Sequence, residues 1–343
     1  MVNRKHYIDN LRTFSILLLF PYHIFMMYNN WGEDFYIHGE ALLIPSIFIR
    51  VVSMWIMPLL FALAGISSRY ALLKRSGGEY VKERVCKLLL PFIFGVLLIV
   101  PIQPYLAGIY FNGQANYFDS FTKLTDFSGY DGAFTPGHLW FLLFLFVMSM
   151  VSLPFMMWYK NKGKGTLGDK ISLIWVILMG LLPCIGSLLK IGGQSKKSPT
   201  EYLAYFLLGY FFLSNENLLK KLEKYRFWLL GLSILYAGFT TFMIDGEVYE
   251  MASWLFILAI LALGRRYLNF NGKVTTYLSK SSFGIYLFHQ SWIVITAFFV
   301  FKVIDGPTLQ IPLILLLSII LTYSTYELCK RFFVFRWMFG LKR

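Results

Sequence analysis

The 343-residue sequence is poor in charge: 15% of its residues are Asp, Glu, Lys or Arg, against ~25% in a soluble domain. It is poorer still in metal ligands. There are five histidines, and the three cysteines, Cys86, Cys184 and Cys329, lie far apart, so neither a disulfide framework nor a metal site is expected. The cysteines read as small buried hydrophobes. No polar stretch is long enough to fold alone, since the longest, about 112 to 137, has some 26 residues. Internal repeats, low-complexity tracts and the paired interrupted helices of secondary transporters are also missing. What is present is apolar: 57% hydrophobic residues, 19% aromatics and a mean hydropathy of +0.59. Such a chain belongs in a bilayer, with lipid as its first partner. The net charge of +14 does not point to nucleic acid, because the cations sit between apolar runs rather than in one stripe.

A spanning helix needs ~20 mostly apolar residues. Ten stretches qualify, at roughly 11–31, 42–66, 88–111, 138–159, 171–189, 200–213, 227–244, 251–264, 282–301 and 311–329, the sixth and eighth being short. The first follows a basic start but runs through Met26 to Trp31 without a small-residue cleavage site, so it reads as retained. The expected fold is all-α, a polytopic helical bundle of about ten spans forming one membrane domain over 1–343. With the N-terminus inside, 26 of the 32 cations fall in inner segments and 11 of the 18 carboxylates outside. The positive-inside rule therefore places both termini in the cytoplasm, and the cell membrane is the expected location.

Ionisable residues in such helices are costly and point to function. Arg12 and His23 are eleven residues apart, three turns plus 20°, and so share one helix face about 16 Å apart along the axis. That stripe suits an elongated anion whose charged end stays at the inner surface while its reactive end reaches deep. Asp9, one turn before Arg12, is placed to orient it. The competing reading is a positive-inside anchor and a packing histidine. Arg50 lies in the second span and either snorkels or lines a cavity. His138 opens the fourth span beside Trp140, an ordinary interface anchor, and His289 lies about two turns into the ninth. Glu327 sits beside Lys330 and Arg331, where a local ion pair explains it.

At these residues the sequence resembles the acyltransferase 3 family of membrane O-acyltransferases, especially its glucan-biosynthesis, succinyltransferase-like branch. Tyr7-Ile8-Asp9-Asn10-Leu11-Arg12, ten residues and then His23 resemble the family's most specific signature. Phe61 to Ser67, Arg84 to Pro91, His138-Leu139-Trp140-Phe141-Leu142, Tyr286-Leu287-Phe288-His289 and the ending from Tyr326 to Leu341 match in order and placement. Position 87 is Lys where the family commonly has Arg, which keeps the charge but not the fork. Some relatives carry a further C-terminal domain. None is expected within these 343 residues, so its role falls to the bundle or to a separate extracytoplasmic partner.

The resemblance implies transfer of an acyl group, acetyl or succinyl, from cytoplasmic acyl-CoA to a hydroxyl of an extracytoplasmic carbohydrate, with no permanently bound cofactor. Arg12, Arg84 and Lys87 would hold the donor phosphates and neutral His23 would act as general base. Arg50, His138, Trp140, Tyr286 and His289 are the candidates for acceptor or oxyanion contacts. A dicarboxylic acyl group would need a further deep cation, for which Arg50 is the candidate. A transporter using the Arg12 and His23 face as a substrate or proton path is the alternative, and a non-catalytic subunit a third reading.

Overall fold

An apolar chain can cross a bilayer only if its backbone groups pair within each segment, which favours helices. The computed structural model describes residues 5–33, 35–125, 127–162, 167, 171–189, 197–243 and 249–342, and these are all-α. Arg4, Asp34, Asp126, Lys164, Lys170, Lys190, Lys196, Asp245, Glu247 and Arg343, which entered the charge count, lie outside the described residues, as does position 244 of the seventh stretch.

α1 (His6–Met26) begins with Asp9 in its first turn, where a carboxylate meets the positive end of the helix dipole. α2 (Leu43–Ser53) and α3 (Ile56–Leu72) follow one path broken at Met54-Trp55. α4 (Gly77–Arg84), a π-helical turn (Val85–Leu89), α5 (Leu90–Leu98) and α6 (Ile102–Asn112) form the next. The π turn lies just before Pro91, which has no N–H and whose ring would strike the carbonyl four residues back, so the helix widens there. A short α7 (Asp119–Thr122) and a 3-10 turn (Gly137–Leu139) lead into α8 (Trp140–Asn161). Then come α9 (Leu173–Leu178), α10 (Leu181–Gly186), α11 (Pro199–Phe211), α12 (Glu216–Lys224) and α13 (Arg226–Met243). α14 (Tyr249–Tyr267), α15 (Lys273–Val303), α16 (Pro307–Cys329) and α17 (Phe333–Met338) complete the chain.

Each of the ten apolar stretches is helical over most of its described length. Among the described residues five helical paths are long and apolar enough to cross a membrane, Leu43–Leu72, Gly77–Asn112, Gly137–Asn161, Lys273–Val303 and Pro307–Cys329, and Leu173–Gly186 is apolar but shorter. The protein is thus a polytopic helical membrane protein.

α12 is of another kind. It is capped by Asn215, buries Leu218, Leu219 and Leu222, and carries charge elsewhere. Its Glu216 lies 2.5 Å from Lys5 Nζ and 2.6 Å from Arg265 Nη1, and Glu223 lies 3.0 Å from Arg265 Nε. Burial works against the Glu216 carboxylate, but hydrogen bonds from Lys5 and Arg265 hold it below the usual carboxylate range. These pairs tie the start of α1 to α12 and α14.

α1 is the hub, packing on α15, α2, α14, α16 and α3. α3 in turn crosses α11 at backbone distance: a Cβ on Gly65 would strike the Phe206 carbonyl, and one on Gly209 the Ala62 carbonyl. Small residues at such crossings let helices approach closely within a membrane. Gly209→Val should therefore destabilise the protein by about 1–3 kcal/mol, read as a lowered midpoint of thermal unfolding in detergent. Gly231→Ala, where an added Cβ meets nothing within 4 Å, is the control and should leave the midpoint near that of the native chain.

Candidate active site

Asp9, Arg12, Ile16, Leu19, His23 and Met26 recur at intervals of three and four, the period of one helix face. The structure turns that face of α1 onto two cavities. Asp9, Arg12 and Ile16 line one of about 380 Å³, while Leu19, His23 and Met26 line another of about 370 Å³. α3 contributes to both, through Leu60, Ala64 and Ser67 at the first and Ile56 and Met57 at the second. So does the start of α8, with Phe141, Leu142 and Leu145 at the first and Trp140 at the second. Tyr286 of α15 lines both and marks their junction.

The Arg12 cavity is strongly basic. Arg12, Arg75, Arg84, Lys87, Lys280 and Lys342 line it against only Asp9 and Glu83. Arg12 donates to Ser67 Oγ at 2.7 Å through one terminal nitrogen and reaches Asp9 Oδ1 at 3.5 Å through the other. Arg84 donates to Ser68 Oγ at 3.1 Å and lies 4.5 Å over the Tyr80 ring. Lys87, on the π turn, donates to Glu83 Oε1 at 2.5 Å, and Arg75 contacts the other Glu83 oxygen. Positioned cations in such excess form a receptor for phosphate-like anions.

The His23 cavity gathers imidazoles. The His23 ring centroid lies 5.3 Å from His289, stacks on Phe35 at 5.8 Å and meets Tyr22 edge-on at 5.3 Å. His138 lies 4.9 Å from His289. The donors of the neighbours are occupied: His138 Nε2 reaches Leu287 O at 3.1 Å, His289 Nδ1 reaches Tyr286 O at 2.8 Å, and the Tyr286 hydroxyl donates to His138 O. His23 Nδ1 is enclosed without a partner among the described residues, so this half-buried ring meets the cavity through Nε2. Among the described residues no three His, Cys, Asp or Glu side chains are arranged to hold a metal ion.

Thus Arg12, Asp9, Arg84 and Lys87 come together in one cavity, and His23, His138, Trp140 and Tyr286 in the other, with His289 directly behind. Two candidates are elsewhere. Arg50 is exposed, lies 5.6 Å over Trp31 and lines neither cavity, because α2 presents it outward. Glu327 accepts from Tyr277 at 2.9 Å and Lys330 at 2.5 Å, the local pairing its neighbours imply. The oxyanion role considered for His138, Tyr286 and His289 meets donors already turned to backbone carbonyls.

Two residues of the His23 cavity escaped the sequence reading. Lys197 enters it from the loop before α11 and sits 4.7 Å over the Trp140 ring; burial draws its ammonium down to about 8, with Glu33 opposing. In the sequence it is only one more loop cation. Gln290 ends a relay whose direction is fixed. Ser291 Oγ donates to the Ile99 carbonyl at 2.9 Å, Gln103 Nε2 donates to Ser291 Oγ at 2.7 Å, and Gln290 Nε2 donates to Gln103 Oε1 at 3.1 Å. Gln290 Oε1 is left enclosed and unpaired. Its neighbour His289 was the available signal, as a polar residue inside a span.

An all-helical membrane bundle with a basic cavity and a histidine cavity on one helix face defines a class of protein, and the comparisons agree on which. The family model described as an acyltransferase domain matches residues 5–327. The chain belongs to the acyltransferase 3 family and is an acyltransferase. It is similar to the glucans biosynthesis protein C of Salmonella typhi and that of Salmonella schwarzengrund. Each is 22% identical over 323 residues, covering 84% of this chain and 82% of the relative. No solved structure matches the chain.

Proposed function

We propose that this acyltransferase moves an acyl group from cytoplasmic acyl-CoA to a hydroxyl of an extracytoplasmic carbohydrate, as one membrane domain of about ten spans with both termini in the cytoplasm. The observation that carries the reading is the single face of α1, which delivers Arg12 to the basic cavity and His23 to the histidine cavity. Nucleotide phosphates would rest on Arg12, Arg84 and Lys87, and the flexible thiol arm would pass Tyr286 to bring the thioester to His23. His23 Nε2 takes the proton of the attacking hydroxyl, and the departing thiolate takes it back. The cell membrane is the expected location and the aromatic wall of Tyr22, Tyr36, Tyr130, Trp140 and Tyr202 the surface for a sugar ring.

Purified protein given labelled acyl-CoA and a glucan acceptor should transfer label, and His23→Ala should reduce transfer at least ~10²-fold while the variant remains folded. A near-native rate would remove His23 as the base, and solute movement without thioester loss would favour a transporter. Arg12→Lys should raise the donor KM about tenfold, since an ammonium cannot span both Asp9 and Ser67 as the fork does; an unchanged KM would remove Arg12 from the donor site.

The acyl group is approached through Lys197, which takes the place Arg50 does not fill. Its charge favours a dicarboxylic acyl chain such as succinyl, against opposing carboxylates from Glu33 and Glu201 on the same cavity. Lys197 is protonated below about 8 and neutral above, so a preference for succinyl-CoA over acetyl-CoA should fall as pH rises through that value. Lys197→Met should abolish both the preference and its pH dependence in competition assays.

A further inference from the structure

Backbone carbonyls only accept hydrogen bonds, and two of them settle where the protons lie in the histidine cluster. His289 Nδ1, 2.8 Å from Tyr286 O, carries its hydrogen, so neutral His289 has its lone pair on Nε2. His138 Nε2, 3.1 Å from Leu287 O, carries its hydrogen, so that lone pair is on Nδ1. Among the described residues both lone-pair nitrogens are enclosed without a partner, and so is His23 Nδ1. His23 is the one imidazole of the three whose tautomer no carbonyl fixes, and its ring packs on His289 at 5.3 Å with an interplanar angle of 40°. At that separation two facing ring nitrogens come to about 3 Å, the hydrogen-bond range.

We propose that His289 is the positioning residue for His23, accepting at Nε2 a hydrogen bond from His23 Nδ1–H and so fixing the tautomer whose Nε2 lone pair faces the cavity. The two nitrogens are not bonded in the structure, and rotation about the soft Cβ–ring bond of His23 is the motion that would bring them together. The proposal rests on the reading of His23 as general base and explains how a base works there when no carboxylate among the described residues is bonded to its Nδ1. During transfer the hydroxyl proton passes to His23 Nε2, the oxygen bonds to the thioester carbon, the C–S bond breaks, and the sulfur takes the proton from Nε2. His289 stays neutral throughout, and its lone pair meets the Nδ1–H of the transient imidazolium. Desolvating an enclosed anion in that place would cost far more than desolvating a neutral imidazole lone pair.

The test uses the full chain in lipid nanodiscs, labelled with 15N-histidine, with the His23 signals assigned by comparison with His23→Gln. The proposal expects native His23 to be the Nδ1–H tautomer, to lose that tautomer in His289→Leu and to regain it in His289→Gln, which puts an amide acceptor near the old Nε2. In transfer assays His289→Leu should lower kcat on the order of 10²-fold with both KM values within about threefold, and His289→Gln should recover much of it. A native Nε2–H tautomer of His23, or a His289→Leu protein with kcat near native, would overturn the proposal. Absence of any transfer by the native protein would count against the acyltransfer reading, while the tautomer spectra would still decide the His23 and His289 pair. Should His289→Leu not fold, the native and His289→Gln spectra decide it.

Discussion

A polar side chain carried into an apolar bundle has to find a partner or a cavity, and α1 carries its polar residues on one face. That constraint organises the molecule. Because Asp9, Arg12 and His23 share a stripe with Ile16, Leu19 and Met26, the neighbours of α1 must leave space along it from one end to the other. α3, α8 and α15 do so, and each lines both cavities. Residues of α1 off that stripe pack against protein: Tyr7, Leu11 and Ile24 are nearly or fully enclosed.

Backbone irregularity gathers where the cavities are. Inside a membrane, non-helical backbone is tolerated only where protein or a cavity satisfies it. The π turn at Val85–Leu89 presents Lys87 to the basic cavity, and Gly340, with φ of +59°, brings the C-terminal segment against the Cys86 carbonyl so that Lys342 joins the same cavity. At the other end Gly137, with φ of +53°, opens the 3-10 turn that sets His138 against α15. The break after Ile99 frees that carbonyl to receive Ser291 and so anchors the relay to Gln290. Prolines and glycines at these points act on the cavity walls more than on the spans.

What could be read from the sequence was whatever depends on one helix at a time. The eleven-residue spacing of Arg12 and His23 is such a property, and so are the apolar stretches and the partner of Asp9. Convergence of His23, His138 and His289 is not, since it joins residues more than a hundred positions apart through packing that no local period encodes. The misplacement of Arg50 has the same origin: its depth along α2 was legible, but not the direction α2 faces. Lys197 failed in the opposite sense, because a cation two residues before Pro199 gives no sign that its ammonium lies over Trp140.

The two cavities also differ in what they leave unsatisfied, and this bears on their division of labour. The Arg12 cavity has an excess of cationic donors, already braced by Ser67, Ser68, Asp9 and Glu83, so an anion bound there replaces water around groups that are held in place. At the His23 cavity the donors of His138, Tyr286 and Gln290 are spent on carbonyl oxygens of the protein, lone pairs are left at His138 Nδ1, Gln290 Oε1 and, just behind, His289 Nε2, and Lys197 faces Glu33 and Glu201. Enclosed lone pairs cost free energy unless they meet N–H or O–H groups. Tyr286, shared by both cavities and held by its bond to the His138 carbonyl, therefore separates a region with a large excess of cations from one where a single lysine faces two carboxylates and lone pairs call for hydrogen-bond donors. On the acyltransfer reading, that is the partition between an anionic donor and a hydroxyl acceptor, and the polar stripe of α1 is what joins them.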